Sequence, residues 1–306
     1  MVAIPFFFLV KKYTNRIIGF SLTIMFSFSY YFLQFSRVGW GVIWSTTLGL
    51  YLMWTIENMD NKNRILKIIL AGILAGLVFY TYRAGEIYIV GSFLFFIIKI
   101  FFLKEKNLKK AFYISIFVLL FVLISFPWII KISSDYENFA LRQRVVAIYN
   151  TELPYHDLYE KKDILLYQIT SAMKSWIYLL PTNTNNVENP RYLPQNYTII
   201  NPLLIPLFLI GLILALSKQF KKMYPWFFIY FSGIIFGQIM TIDPPNGARG
   251  LIMLPIIYLF TGISLNFFYQ KFKKIRFIKI YILSFSIIVT ITDFLYYKYW
   301  MSWISV

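Results

Sequence analysis

The chain contains no cysteine and a single histidine, His156, in 306 residues. Disulfides, thiol chemistry and a histidine-rich metal cluster are therefore excluded. Carboxylates are scarce too, 13 Asp and Glu against 30 Lys and Arg. Nothing in their spacing asks for a cofactor, although a divalent metal is compatible with them. Charge of either sign makes up only 14% of the chain, while 59% is hydrophobic and 21% aromatic, outside the soluble globular class. The net charge of +17 does not point to nucleic acid, because the bases lie in short turns between apolar runs. That is how membrane topology is encoded.

What is present in quantity is long apolar sequence. An opening piece, 1–10, is too short to cross a bilayer and reads as the tail of a truncated helix. Nine full spans are expected after it, at 17–34, 38–56, 65–82, 87–103, 111–130, 202–216, 225–242, 251–268 and 280–297. The expected fold is all-α, a polytopic transmembrane helical bundle. One polar stretch, 133–201, separates membrane helices in 1–132 from those in 202–306 and reads as a long outer loop with short helices.

Orientation follows from the bases. Lys11, Lys12 and Arg16; Lys62, Arg64 and Lys67; Lys104, Lys106, Lys109 and Lys110; Lys218, Lys221 and Lys222; and Lys271, Lys273, Lys274, Arg276 and Lys279 all fall on one side when spans are counted singly. Positive residues favour the cytoplasm, so the expected location is the cell membrane, multi-pass, with the long loop extracytoplasmic.

Polar residues at the outer span ends then become informative: Gln34, Ser36, Arg37, Tyr80, Tyr82, Arg83, Glu86, Asp243 and Arg249. Arg37 and Arg249 each precede an inward-running helix, whose N-terminus disfavours a cation and favours an anion. A phosphate held between such ends and their arginines competes with simple snorkelling to lipid headgroups. Arg83, three residues from Glu86, reads as one half of a helix pair or as a further phosphate ligand. Tyr80 and Tyr82 suit stacking on a sugar ring or anchoring at the interface. In the outer loop, Arg142 and Arg144 lie on a short amphipathic segment, as solvated surface charge or as further ligands of the donor phosphate, and 163–180 has helical apolar spacing. His156 and Asp157 read as surface residues. The Gly72/Gly76 and Gly233/Gly237 spacings let helices pack closely.

These residues carry a resemblance. Gln34-Phe35-Ser36-Arg37-Val38-Gly39-Trp40, the run from Ala71 to Leu77 leading to Tyr80-Thr81-Tyr82, Pro127-Trp128, the Arg142 segment, and Asp243-Pro244-Pro245-Asn246-Gly247-Ala248-Arg249 with Leu254-Pro255 come in the order of the GT-C glycosyltransferases. The branch they resemble is family 39, similar to protein mannosyltransferases and aminoarabinose transferases. The resemblance implies an inverting membrane transferase that takes a sugar from a polyprenyl-phosphate donor at the outer face. The acceptor would be a hydroxyl on a glycan, lipid or protein, in cell-envelope or protein glycosylation, and membrane lipids would be partners. It also implies that Arg37 and Arg249 hold the donor phosphate.

The family places an aspartate, as base or acceptor-positioning group, in its first outer loop, which here would precede Met1. A fragment, a second polypeptide supplying the acid, and a non-catalytic chain are the three expectations. Glu86 and Asp243 are the outer carboxylates by position, and the base itself stays unassigned. The competing class is a transporter or flippase for polyprenyl-linked sugars, or a binding subunit for them. Transporters carry ionisable groups near mid-membrane, whereas here no charged residue lies deep in a full span apart from Asp293, near one end, which favours chemistry or binding at the surface.

Overall fold

A computed structural model describes residues 1–39, 41–59, 62–148, 161–176, 198–241 and 246–304. Among them the chain is helical, with one isolated bridge, Ala147 to Thr241, and no strand. The helices are α1 Ala3–Tyr13, α2 Arg16–Ser27, α3 Tyr30–Val38, α4 Gly41–Glu57, α5 Arg64–Phe79, α6 Glu86–Phe101 and α7 Asn107–Ser134. They continue as α8 Tyr136–Val146, α9 Lys161–Trp176, α10 Ile205–Lys218, α11 Phe220–Ile234, α12 Gly247–Gly250, α13 Leu254–Phe272 and α14 Ile278–Ile304.

Among the described residues four helical stretches are long and apolar enough to cross a membrane: Arg83–Phe101, Asn107–Ser134, Gly247–Phe272 and Ile278–Tyr299. The nine expected spans are therefore not nine long helices. The stretch expected as one span at 17–34 is broken into α2 and α3, which meet at 55°. Ser29 causes the break: its backbone leaves the helical region at ψ 134° and its side chain caps α3 by accepting from Phe32 N. Gly39, at φ 68°, then ends α3 in the left-handed conformation that only glycine adopts without strain. α4 and α5 have 17 and 16 residues, at the short limit for crossing a bilayer. The expected span at 225–242 begins earlier, at Phe220, and after Ile234 widens into a π-turn, Ile235–Ile239. Of the expected loop at 133–201, α7 takes the first two residues, α8 and α9 are seen within it, and 149–160 and 177–197 lie outside the described residues.

α13 is the pillar of the fold. Of an apolar 18-residue segment in the stretch Gly247–Phe272 that contains it, 83% is buried, against 17% for the corresponding segment of α7 and 22% for that of α14, so α13 is core and the other two are rim. The main apolar core packs α1, α2, α10 and α11 around it, with Trp226, Tyr230, Phe208 and Phe260 among the enclosed rings. A second core lies between α4, α5, α6 and α7, centred on Phe96 stacked 4.8 Å from Phe117. Small residues allow both. A Cβ on Gly76 would lie 2.6 Å from Ile124, and one on Gly72 2.9 Å from the Phe117 carbonyl, so the first glycine pair is the seat of α7 on α5. In the second, Gly233 packs on Met253, while Gly237 has ordinary contact with Arg249.

The lysine-rich turns converge at one end. Lys12 bridges to Glu57 at 3.0 Å, Lys99 donates to the Ile56 and Glu57 carbonyls, and Lys67 to the Asn58 carbonyl. Arg64 pairs with Glu105 at 2.7 Å, and Tyr13 reaches the Lys222 carbonyl. Cations on the last carbonyls of α4 complement the negative end of that helix.

Candidate functional site

At the opposite end the chain is broken repeatedly, between α3 and α4, between α5 and α6, and between α11 and α13. These breaks are fastened to one another by backbone groups. Ser45, one turn into α4, is the first fastener: its Oγ lies 2.8 Å from the Thr81 hydroxyl and 3.2 Å from the Tyr82 carbonyl, and accepts from Tyr82 N at 3.0 Å. The turn that leads into Arg83 is thereby held on α4, and close approach follows, since a Cβ on Gly85 would lie 2.8 Å from that of Ser45. Tyr88, buried in the first turn of α6 against Gly49, donates to the Ile252 carbonyl at 2.8 Å. This bond ties the α6 entrance to the turn Leu251–Met253 just beyond Arg249.

Gln238 is the second fastener. It is fully buried in the π-turn, and its amide clamps both backbone groups of Asn246, accepting from the N–H at 2.7 Å and donating to the carbonyl at 3.0 Å. Asn246 in turn caps α12 by accepting from Arg249 N at 3.1 Å. The extra residue of a π-turn re-aims a side chain at the cost of one regular helix bond, and here it aims Gln238 at the returning chain. The same edge receives the long polar stretch: Ile148 N donates to the Met240 carbonyl at 3.3 Å, and Gln168 of α9 donates to the Thr241 carbonyl at 2.7 Å.

The sequence-selected residues fall on this frame as follows. Arg83 lies 3.7 Å from Glu86 and 4.0 Å from the centroid of the Phe139 ring in α8, which joins the helix pair to the start of the polar stretch. Arg37 is exposed on the last turn of α3 and donates to the Met301 sulfur of α14. Arg249 packs over Gly237. Arg37 and Arg249 thus occupy the same end but different neighbours. Tyr80 turns toward α7, donating to the Ile124 carbonyl at 2.8 Å with its ring 6.1 Å from Trp128, whereas Tyr82 packs partly buried against the main core. Arg142 and Arg144 belong to α8, but their side chains, like Asp243, lie outside the described residues. Among the described residues no group of three or more His, Cys, Asp or Glu gathers to hold a metal ion.

Ser45, Gln238 and Phe139 were not singled out by sequence reasoning. Ser45 opens a Ser-Thr-Thr run that looks like ordinary helix interior, and Gln238 lies inside an apolar span; only the Asn246-Gly247 pair carried a local capping signal. Comparison with protein-family models, with curated proteins and with solved structures returned no match.

Proposed function

We propose that the chain is a membrane glycosyltransferase of GT-C type, transferring a sugar from a polyprenyl-phosphate donor to an acceptor hydroxyl at the extracytoplasmic face. The observation that supports the reading is that Arg37, Arg83 and Arg249 each lie at a helix break at the end opposite the lysine-rich turns, on separate neighbours: Met301, Phe139 and Gly237. Cations placed there would hold the donor phosphate and stabilise it as it leaves. α8, whose Phe139 ring lies over Arg83, and α9, tied through Gln168 to the Thr241 carbonyl, would help cover the reacting sugar and exclude water. Glu86 is a carboxylate of this end, 3.7 Å from Arg83, and that pairing suits orientation as well as base chemistry.

The test uses the full chain in lipid nanodiscs with synthetic polyprenyl-phosphate hexoses and pentoses, reading free polyprenyl phosphate. The expected result is release that falls at least about a hundredfold in Arg249→Ala, the scale of losing one preorganised charge-stabilising group. Equal release by wild type and Arg249→Ala would remove that residue from the mechanism. The second reading is a transporter or flippase, or a binding subunit, for polyprenyl-linked sugars. The broken span α2–α3, packed on the helix α14 that carries the buried Asp293, favours it, because interrupted helices beside an intramembrane carboxylate are common in transporters. Lipid moving across vesicles with no product formed would select it.

A further inference from the structure

Asp293 of α14 is wholly buried, and the proposed transfer reaction makes no use of it. One oxygen accepts from Asn201 Nδ2 at 3.0 Å; the other is buried with no protein partner. Asn201 stands where the chain re-enters the bundle after the polar stretch. Its amide also donates to the Thr292 hydroxyl at 2.7 Å, and its own oxygen accepts from Leu203 N at 3.0 Å. Tyr30, the first residue of α3, donates to the Thr198 carbonyl, so the same re-entry is fastened to the broken span. Asp293 therefore sits at a junction of α14, the α2–α3 break and the approach to α10.

The charged and titratable groups of the elements around it leave it without a counter-ion. On α2 the charged residue is Arg16, at the far end, and on α3 it is Arg37, which lies on Met301. α3 also brings Tyr30 and Tyr31, and α13 brings Tyr258, in the field of Asp293, together with Tyr269 and Lys271 near its far end. α10 carries Lys218 at its far end. On α14 itself Lys279 lies at the start, and exposed Lys298 is over the Phe294 ring at 5.1 Å. Among the described residues no cation makes an ion pair with Asp293. A buried, unpaired carboxylate within a membrane span costs more than the neutral acid does.

We propose that Asp293 is a proton-binding site, occupied in the folded protein, and that the bound proton holds the re-entry segment and the α2–α3 break against α14. Release is a simple ionisation: the carboxyl O–H bond breaks, the electron pair stays on the carboxylate and the proton passes to water. The remaining anion must then be hydrated, which opens the junction. The proposal stands independently of which reading of the arginine-lined end is right.

The experiment is infrared spectroscopy and thermal denaturation of the full chain in nanodiscs, with wild type, Asp293→Asn, Asp293→Ala, and Glu86→Gln as a control for the carboxyl near the same end. At neutral pH the wild-type spectrum should contain a buried carboxylic-acid C=O stretch that is missing from Asp293→Asn and kept in Glu86→Gln. In alkaline buffer that band should vanish and the wild-type midpoint should fall, whereas Asp293→Asn, neutral at every pH, should hold its midpoint. Should Asp293→Asn fail to fold, the wild-type band and its titration decide alone, and absence of the band at neutral pH overturns the proposal. It is overturned equally if Asp293→Asn loses as much stability at neutral pH as Asp293→Ala. A wild-type midpoint raised by sodium over choline, and insensitive in Asp293→Asn, would also overturn it by assigning a metal cation in place of the proton.

Discussion

Replacing Glu57 should loosen the lysine-rich end of the bundle by a calculable amount. The side chain is 1% exposed and takes hydrogen bonds on one oxygen from the Tyr13 hydroxyl and from Trp226 Nε1, the latter at 3.1 Å. Bonds to a charged acceptor contribute about 1.5–3 kcal/mol each. The ion pair to Lys12 adds little, because Lys12 is 41% exposed and screened. In Glu57→Ala, Tyr13 and Trp226 keep each other at 3.1 Å, which recovers part of the loss. The net destabilisation is then about 3 kcal/mol, and Glu57→Gln, which keeps one acceptor oxygen, loses about 1 kcal/mol. At roughly 2 °C per kcal/mol for a chain of this size, the midpoint should fall by about 6 °C in Glu57→Ala. The assay is the thermal midpoint of monodisperse protein in detergent at fixed scan rate. Equal midpoints for wild type and Glu57→Ala, or Glu57→Gln falling as far as Glu57→Ala, would refute the reasoning.

Three further outcomes are expected. Gly211→Ala should separate α10 from α13, because its methyl group would land on the Phe260 carbonyl; a loss of at least about 3 kcal/mol in detergent stability is expected, above the usual overpacking cost because backbone must move. Glu105 is held below the ordinary carboxylate range by Lys109 first and Arg64 next. Its contribution is therefore present above the unfolded value of about 4.3 and is lost as pH falls from there through the lower folded value, so acid titration of stability should be shallower in Glu105→Gln. Gln238→Leu should release Asn246 and with it Arg249, weakening binding of polyprenyl phosphate at unchanged expression, whereas Gln238→Glu, whose buried carboxyl is favoured neutral and can then both accept from Asn246 N and donate to its carbonyl, should fall between wild type and Gln238→Leu.

The helical class and the clustering of bases were legible because both depend on residue type and chain order. Lys12, Lys67 and Lys99 lie in or beside turns that alternate along the sequence, and they meet on the end of α4. The breaks were less legible. Phe28-Ser29 looks like span interior by hydropathy, and only the capping geometry of Ser29 reveals the bend. Likewise the role of Gln238 depends on a partner eight residues on, across a return that no periodicity encodes. For the arginines the sequence indicated the end of the bundle but not the neighbours, since the contacts of Arg37 with Met301 and of Arg83 with Phe139 join segments far apart in the chain.

The most direct measurement is photolabelling of the full chain in nanodiscs by a diazirine-bearing polyprenyl phosphate, with labelled sites mapped by mass spectrometry. The account predicts labels within residues 37–45, 80–88 and 246–254, reduced in Arg249→Ala and competed by unlabelled polyprenyl phosphate. Labels concentrated instead at the opposite end, around Lys11 to Arg16 and Lys271 to Lys279, would contradict it.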